Sequence, residues 1–320
     1  MITVSILRFG AIFAVTFLLF YLVFGLLLRR ERWEGLKKSY QFIRKNPILL
    51  VPDLVLTVLS SLLLYLAYTY AGIRDVIATL QSAEKEIVAQ VLRDYFAQNL
   101  INFVLAIVLL VFVTFFFGVG VDIIRYQLVQ QAISNKKPSI GKAWKEKRSY
   151  FWNIVLLRIL LFIVGLVAVA VVLLLGGLSY TLVGLFLNDR IAGIVAAIFT
   201  VLLGGALLLV LSFSFFFRYP IMFTKNVKSA YQVLKESYAF FRQQRSYVIL
   251  TWLVLLCLGI LSLLISTVFN KVFDQNILLL QSGWSSIGLL VLQEGLQKIF
   301  SIIISLWGTV FLFLRFKEQM

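Results

Sequence analysis

QNLINFVLAIVLLVFVTFFFGVGV, residues 98–121, runs for 24 positions without a charged side chain. At 1.5 Å of rise per residue such a helix reaches about 36 Å, which exceeds the roughly 30 Å hydrocarbon core of a bilayer. Further apolar runs lie near 9–28, 47–72, 151–178, 191–217, 247–268 and 297–315. The sequence therefore predicts seven spans, and a fold class that is all-α, a polytopic transmembrane helix bundle. Composition agrees: 61% of the 320 residues are hydrophobic and 14% are charged, too apolar a balance for a water-soluble chain. Residues 1–320 read as a single integral membrane domain.

Orientation follows from the cations. Arg8 precedes the first run and Arg29, Arg30 and Arg32 follow it, so the positive-inside bias puts the amino terminus outside. The first run is long for a signal peptide and ends in Gly-Leu-Leu-Leu-Arg-Arg without a small-residue cleavage pattern, so an uncleaved anchor is expected. With seven alternating spans the cytoplasmic segments are 29–46, 122–150, 218–246 and 315–320. They hold 22 of the 30 Lys and Arg but only six of the 14 acids, so the net charge of +16 falls on one side. The expected location is the cell membrane, with the carboxyl terminus in the cytoplasm.

The chain repeats itself. Lys38-Ser39-Tyr40-Gln41-Phe42-Ile43-Arg44 precedes the second span and Glu236-Ser237-Tyr238-Ala239-Phe240-Phe241-Arg242 precedes the sixth. A looser copy, with Ala143-Trp144 and then Arg148-Ser149-Tyr150-Phe151, precedes the fourth. The third, fifth and seventh spans end alike in Arg125-Tyr126, Arg218-Tyr219 and Arg315-Phe316, spaced by 93 and 97 residues. A unit of one basic-aromatic helix and two spans thus occurs three times, over 29–126, 127–219 and 220–320, after an extra span at 1–28.

In the first unit Trp33, Leu36, Tyr40 and Ile43 recur at helical steps, while Arg32, Lys37, Lys38 and Arg44 take other faces. Such a helix lies in the membrane interface, where each cation near an anionic surface contributes about 1 kcal/mol. The corresponding residues elsewhere are Lys142, Trp144 and Lys145, and Tyr231, Lys235, Tyr238 and Arg242. These helices either serve as elbows that orient each hairpin or recruit a partner: anionic membrane lipid, or a cytoplasmic or membrane protein. On the outer side, residues 73–96 have an apolar face of Ile73, Val76, Ile77, Leu80, Ile87, Val91 and Tyr95, which predicts an amphipathic surface helix. Residues 269–296, with Gly283 and Trp284, are read as a partly re-entrant segment, and Glu294 is expected to pair with Lys298.

Two charges fall inside spans. Asp53, after Pro52, and Arg158 each lie about 10 Å past the basic boundary of their spans. Ionisable groups there cost roughly 2.5–3.5 kcal/mol each on insertion scales, which favours their pairing, as a structural ion pair or as a gating or substrate-coordinating pair, over independent snorkelling or water contact. Gly118 and Gly120, Gly176 and Gly177, and Gly204 and Gly205 supply surfaces for close helix approach, and Gly204-Gly205 could also break its helix.

Catalytic signatures are missing. The chain has no histidine, no Gly-x-Ser-x-Gly elbow and no Walker loop, and its single Cys257 sits in an apolar run. No enzyme activity, cofactor or metal is expected. The basic segments are short, interrupted by acids and tethered to spans, so topology accounts for them without nucleic acid.

The Ser/Ala-aromatic helix before each hairpin, here Lys38-Ser39-Tyr40-Gln41-Phe42-Ile43-Arg44-Lys45-Asn46-Pro47, resembles that of prokaryotic polytopic proteins related to the membrane domain of glycerophosphodiester phosphodiesterases. In that group hydrolysis belongs to a separate soluble domain with histidine and carboxylates, so the resemblance implies a membrane domain without hydrolase chemistry. Mitochondrial carriers also have three two-span repeats, but their Pro-x-Asp/Glu-x-x-Lys/Arg signature is missing at Pro52-Asp53. The expected function is a non-catalytic accessory or scaffold protein. The alternative is a transporter or permease with a pathway between the three repeats, near Asp53 and Arg158.

Overall fold

A computed structural model describes residues 30–72, 88–279 and 284–320. The first expected span, most of the 73–96 surface helix, the Glu294 partner of Lys298 and the side chains of 268–294 lie outside the described residues. What is described is an all-α polytopic bundle, with six helical stretches long and apolar enough to cross a membrane.

Helix α1, Arg30–Lys45, stops before Asn46-Pro47, where the proline ring disfavours helical geometry in the residue it follows. A 3-10 turn, Pro47–Leu50, leads into α2, Val51–Tyr70, which carries Pro52 in its first turn, where its missing N–H costs no helical bond. The return helix α3, Val88–Ile133, is 46 residues long. It terminates with Asn135 in the left-handed region (φ 59°) and the Lys136 N–H donating to the Gln131 carbonyl.

The second unit has α4, Ile140–Lys147, α5, Phe151–Gly184, and α6, Asp189–Ser214. The Asn188 side chain caps α6 by accepting from the Ile191 N–H at 3.0 Å. After a non-helical turn at 215–217 the chain resumes as α7, Arg218–Thr224. Gly204 and Gly205 lie within continuous α6, so the alternative of a helix break there does not occur, and the chain leaves helical geometry ten residues later. The close approach falls at Gly176, where a Cβ would collide with the Thr200 hydroxyl oxygen.

The third unit has α8, Ala230–Gln243, α9, Arg245–Leu279, and α10, Trp284–Lys317. Residues 269–279 and 284–296 of the segment read as partly re-entrant are helical and continue α9 and α10, while 280–283 lie outside the described residues.

Hairpins α2/α3, α5/α6 and α9/α10 pack as pairs. The short helices close them into a ring. α4 lies on α3 of the first hairpin, α8 on α6 and α7 of the second, and α1 on α10 of the third. Each short helix buries a small residue directly before an exposed aromatic. The buried residues are Ser39, Ala143 and Ser237; Tyr40, Trp144 and Tyr238 are 49%, 39% and 52% exposed. Ser39 donates to the Leu36 carbonyl at 2.7 Å, and the Trp307 indole N–H of α10 reaches Ser39 Oγ at 2.9 Å and the Leu36 carbonyl at 3.0 Å. Ser237 donates to the Ser214 carbonyl at the end of α6, 2.9 Å away.

The main core sits at the end of the bundle where these helices meet. It draws Leu49, Ile123, Leu157, Phe217, Phe223, Val310 and Phe316 from all three units. Away from that end the hairpins present Val58, Ile101, Val108, Leu173, Phe186, Val201 and Leu263 outward. Apolar surface so continuous is stable in lipid and not in water.

Candidate functional site: an arginine–aromatic cluster and its basic rim

The second helices of the three hairpins converge on one another at the ends that carry the Arg-aromatic pairs. Tyr126 stacks on Tyr219 at 4.4 Å and lies 5.8 Å from Phe313, while Phe316 packs beside Phe217 at 5.7 Å. Each arginine lies over a ring: Arg125 over Tyr126 at 4.9 Å, Arg218 over Tyr219 at 4.8 Å and Arg315 over Tyr247 at 5.0 Å. Cation–π attraction in a desolvated setting is worth about 2 kcal/mol, which helps offset burial of the charge.

The structure corrects the pairing of Asp53 with Arg158. Asp53 Oδ1 instead accepts from Arg125 Nη1 at 3.0 Å, and Arg158 Nη2 donates to Asp122 Oδ2 at 2.6 Å. The reason is helix continuity. Asp122 and Arg125, assigned from the sequence to the cytoplasmic segment 122–150, stay on α3, which packs against both α2 and α5. A three-residue step places them on one side of that helix, so each meets the opposite charge on its neighbour. Arg125 Nη2 also donates to the Tyr126 hydroxyl at 3.2 Å and the Thr309 hydroxyl at 3.3 Å. Arg158 donates to the Phe115 carbonyl at 3.1 Å and adjoins the Tyr219 hydroxyl. Thus Asp53 and Arg158 belong to one cluster through different partners.

A second network fixes the middle elbow. Gln127 and Gln131 both donate to Glu146 Oε2, at 2.7 and 3.1 Å, and Lys147 donates to Asn226 and to the Tyr150 hydroxyl. These contacts tie α4 to α3 and to the end of α7. The sequence reading missed the glutamines, although their four-residue spacing past an apolar run marks a face.

Around this core lies the rim. Trp33, Lys37, Lys38, Tyr40 and Arg44 on α1 are exposed, as are Lys142, Trp144 and Lys145 on α4 and Tyr231, Lys235, Tyr238 and Arg242 on α8. The Arg32 side chain lies outside the described residues. Lys298, the expected partner of Glu294, donates to the Ser61 hydroxyl at 2.8 Å and so joins α10 to α2.

Chemically the cluster offers fixed guanidinium and phenol groups, a set suited to holding oxyanions. No group of three or more His, Cys, Asp or Glu side chains gathers as a metal site among the described residues. No family model, curated protein or solved structure matches the chain.

Proposed function

We propose that the protein is a non-catalytic membrane scaffold or accessory subunit whose basic end faces the cytoplasm and engages anionic lipid headgroups. On this reading the three hairpins are copies of one unit, and the short helices are its lipid-reading faces. One observation carries it: each short helix is anchored by a buried small residue, which leaves its aromatic and basic side chains turned outward beside the apolar boundary. Interfacial aromatics and cations in that arrangement gain from headgroup contact and from anionic charge. The resemblance seen around residues 38–47 accords with a membrane domain that carries no hydrolase chemistry of its own.

The test uses the full chain in vesicles containing spin-labelled phosphatidylglycerol or spin-labelled phosphatidylcholine. The wild type should immobilise more of the anionic lipid. Replacing Lys37, Lys38, Lys142, Lys145, Lys235 and Arg242 by Gln should remove most of that preference. Equal immobilisation of both lipids by the wild type contradicts the reading.

A second reading, a transporter, is favoured by one feature. Asp53 Oδ2 and Gln127 Oε1 are buried acceptors without a hydrogen-bond partner among the described residues, and buried polar groups ordinarily find a partner, protein or water. A water-filled path past Asp53 predicts proton entry into vesicles with an entrapped pH dye, lost in Asp53→Asn. Flux no greater than in protein-free vesicles ends that reading.

A further inference from the structure

The three arginines that close the hairpins differ in how their charge is met. Arg125 has the carboxylate of Asp53, and Arg315 Nη1 has Glu318 Oε2 at 2.5 Å. Arg218 donates only to the Phe215 carbonyl, three residues earlier at 2.9 Å, and has no carboxylate among the described residues. The cause is the first helix of its own hairpin. Where α2 brings Asp53 to the cluster, α5 brings Arg158, and that cation already takes Asp122. Among the described residues three guanidinium groups, Arg125, Arg158 and Arg218, thus face two carboxylates, and Arg218 is the one left without an acid. Residues 1–29 contain no acid, and the Glu31 side chain lies outside the described residues.

A second feature falls on the same residue. α3 and α10 run unbroken through Arg125 and Arg315, but the second hairpin breaks at 215–217, directly before Arg218. Interrupted helices at membrane depth are tolerated where they are buried in protein or line a cavity, and they recur at binding sites. Arg218 is also the first charge after the apolar run 191–217. The 26 residues of α6 cover about 39 Å, close to a bilayer with its headgroup layers, so the break lies at the depth of lipid phosphates.

We propose that Arg218, at the broken end of α6 and beside the Tyr126–Tyr219 stack, is a one-to-one binding site for a phosphate oxyanion. The guanidinium fork matches two phosphate oxygens, and the surplus charge selects an anion over a zwitterion. This site extends the lipid reading from a diffuse rim to a single stoichiometric contact, and it does not depend on the rim lysines.

The test is native mass spectrometry of the full-length, delipidated protein with phosphatidylglycerol or phosphatidylcholine, alongside thermal unfolding with inorganic phosphate. The wild type should retain one phosphatidylglycerol and lose phosphatidylcholine. Arg218→Gln should weaken retention at least about tenfold, the scale of a lost charge-assisted bond. Arg218→Lys keeps the charge but not the fork and should fall between them, which preserves the test if the glutamine variant fails to fold. Arg190→Gln, exposed at the opposite end of α6, should bind like the wild type. Stabilisation of the wild type, but not of Arg218→Gln, by inorganic phosphate without lipid retention assigns the site to a soluble anion. Unchanged binding of both probes by a folded Arg218 variant, or no binding by the wild type, overturns the proposal. Neutralising the rim should leave the one-to-one contact intact, so failure of the rim reading and failure of this one are separable.

Discussion

The basic end of the bundle and the hairpin arms are built from similar apolar helices, yet they are held by different physics. At the basic end all three hairpins meet: Tyr126, Phe217, Phe223 and Phe316 are buried, and the intramembrane charges are paired across helices. Along the arms each hairpin packs on itself, and residues such as Leu185, Phe186 and Val201 face outward. Surface-facing apolar residues in a membrane helix exchange one apolar neighbour for another, so the arms gain little from any one side chain. Specific structure concentrates where polar groups and aromatic rings need defined partners.

The contrast should be steepest at the buried ion pair. Arg125→Met leaves Asp53 without its cation and should cost about 3–5 kcal/mol, seen as a lower unfolding midpoint in detergent. Asp53→Asn together with Arg125→Met should recover part of the loss, because no unpaired charge remains. A single replacement of negligible cost would break the distinction between the two regions.

Smaller effects should come from the ring closure. Ala143 is fully buried, and Ala143→Leu inserts bulk between α4 and α3 for an expected penalty of about 1–3 kcal/mol by the same unfolding measurement. Trp307→Phe keeps the ring but removes the donor to Leu36 and Ser39, at about 1 kcal/mol. That loss should appear as faster proteolysis near α1. Smallest of all, Leu185→Ala and Val201→Ala on the arms should change the midpoint by under about 0.5 kcal/mol. Arm effects as large as that of Ala143→Leu would show that the arms carry packing of their own.

The sequence announced the helices better than their ends. Apolar runs located the six described spans because the hydrocarbon thickness sets their length, and the Ser39-Tyr40, Ala143-Trp144 and Ser237-Tyr238 pairs marked the short helices. The ion pairs were not legible in the same way. Asp122 opened a cytoplasmic segment because apolar character ends at Val121, but the helix continues through Ile133 on Gln127 and Gln131, which bond to Glu146. Hydropathy reports where lipid ends, and helix termination is decided by caps such as Asn135. Depth alone then suggested Asp53 and Arg158 as partners, whereas the packing of α3 between α2 and α5 provided nearer ones. That Arg218 has no carboxylate among the described residues was hidden for the same reason, since it emerges only once Asp53 and Asp122 have been assigned.

The central claim is that the three short basic helices share one face of the membrane and the arms' turns share the other. In a Cys257→Ser background, single cysteines at Tyr40, Trp144, Tyr238 and Phe186 can be probed with a membrane-impermeant maleimide on sealed vesicles of known orientation. The account predicts that the first three label together from the cytoplasmic side and Phe186 only from the opposite side. Labelling of any two of the short helices from different sides would contradict it.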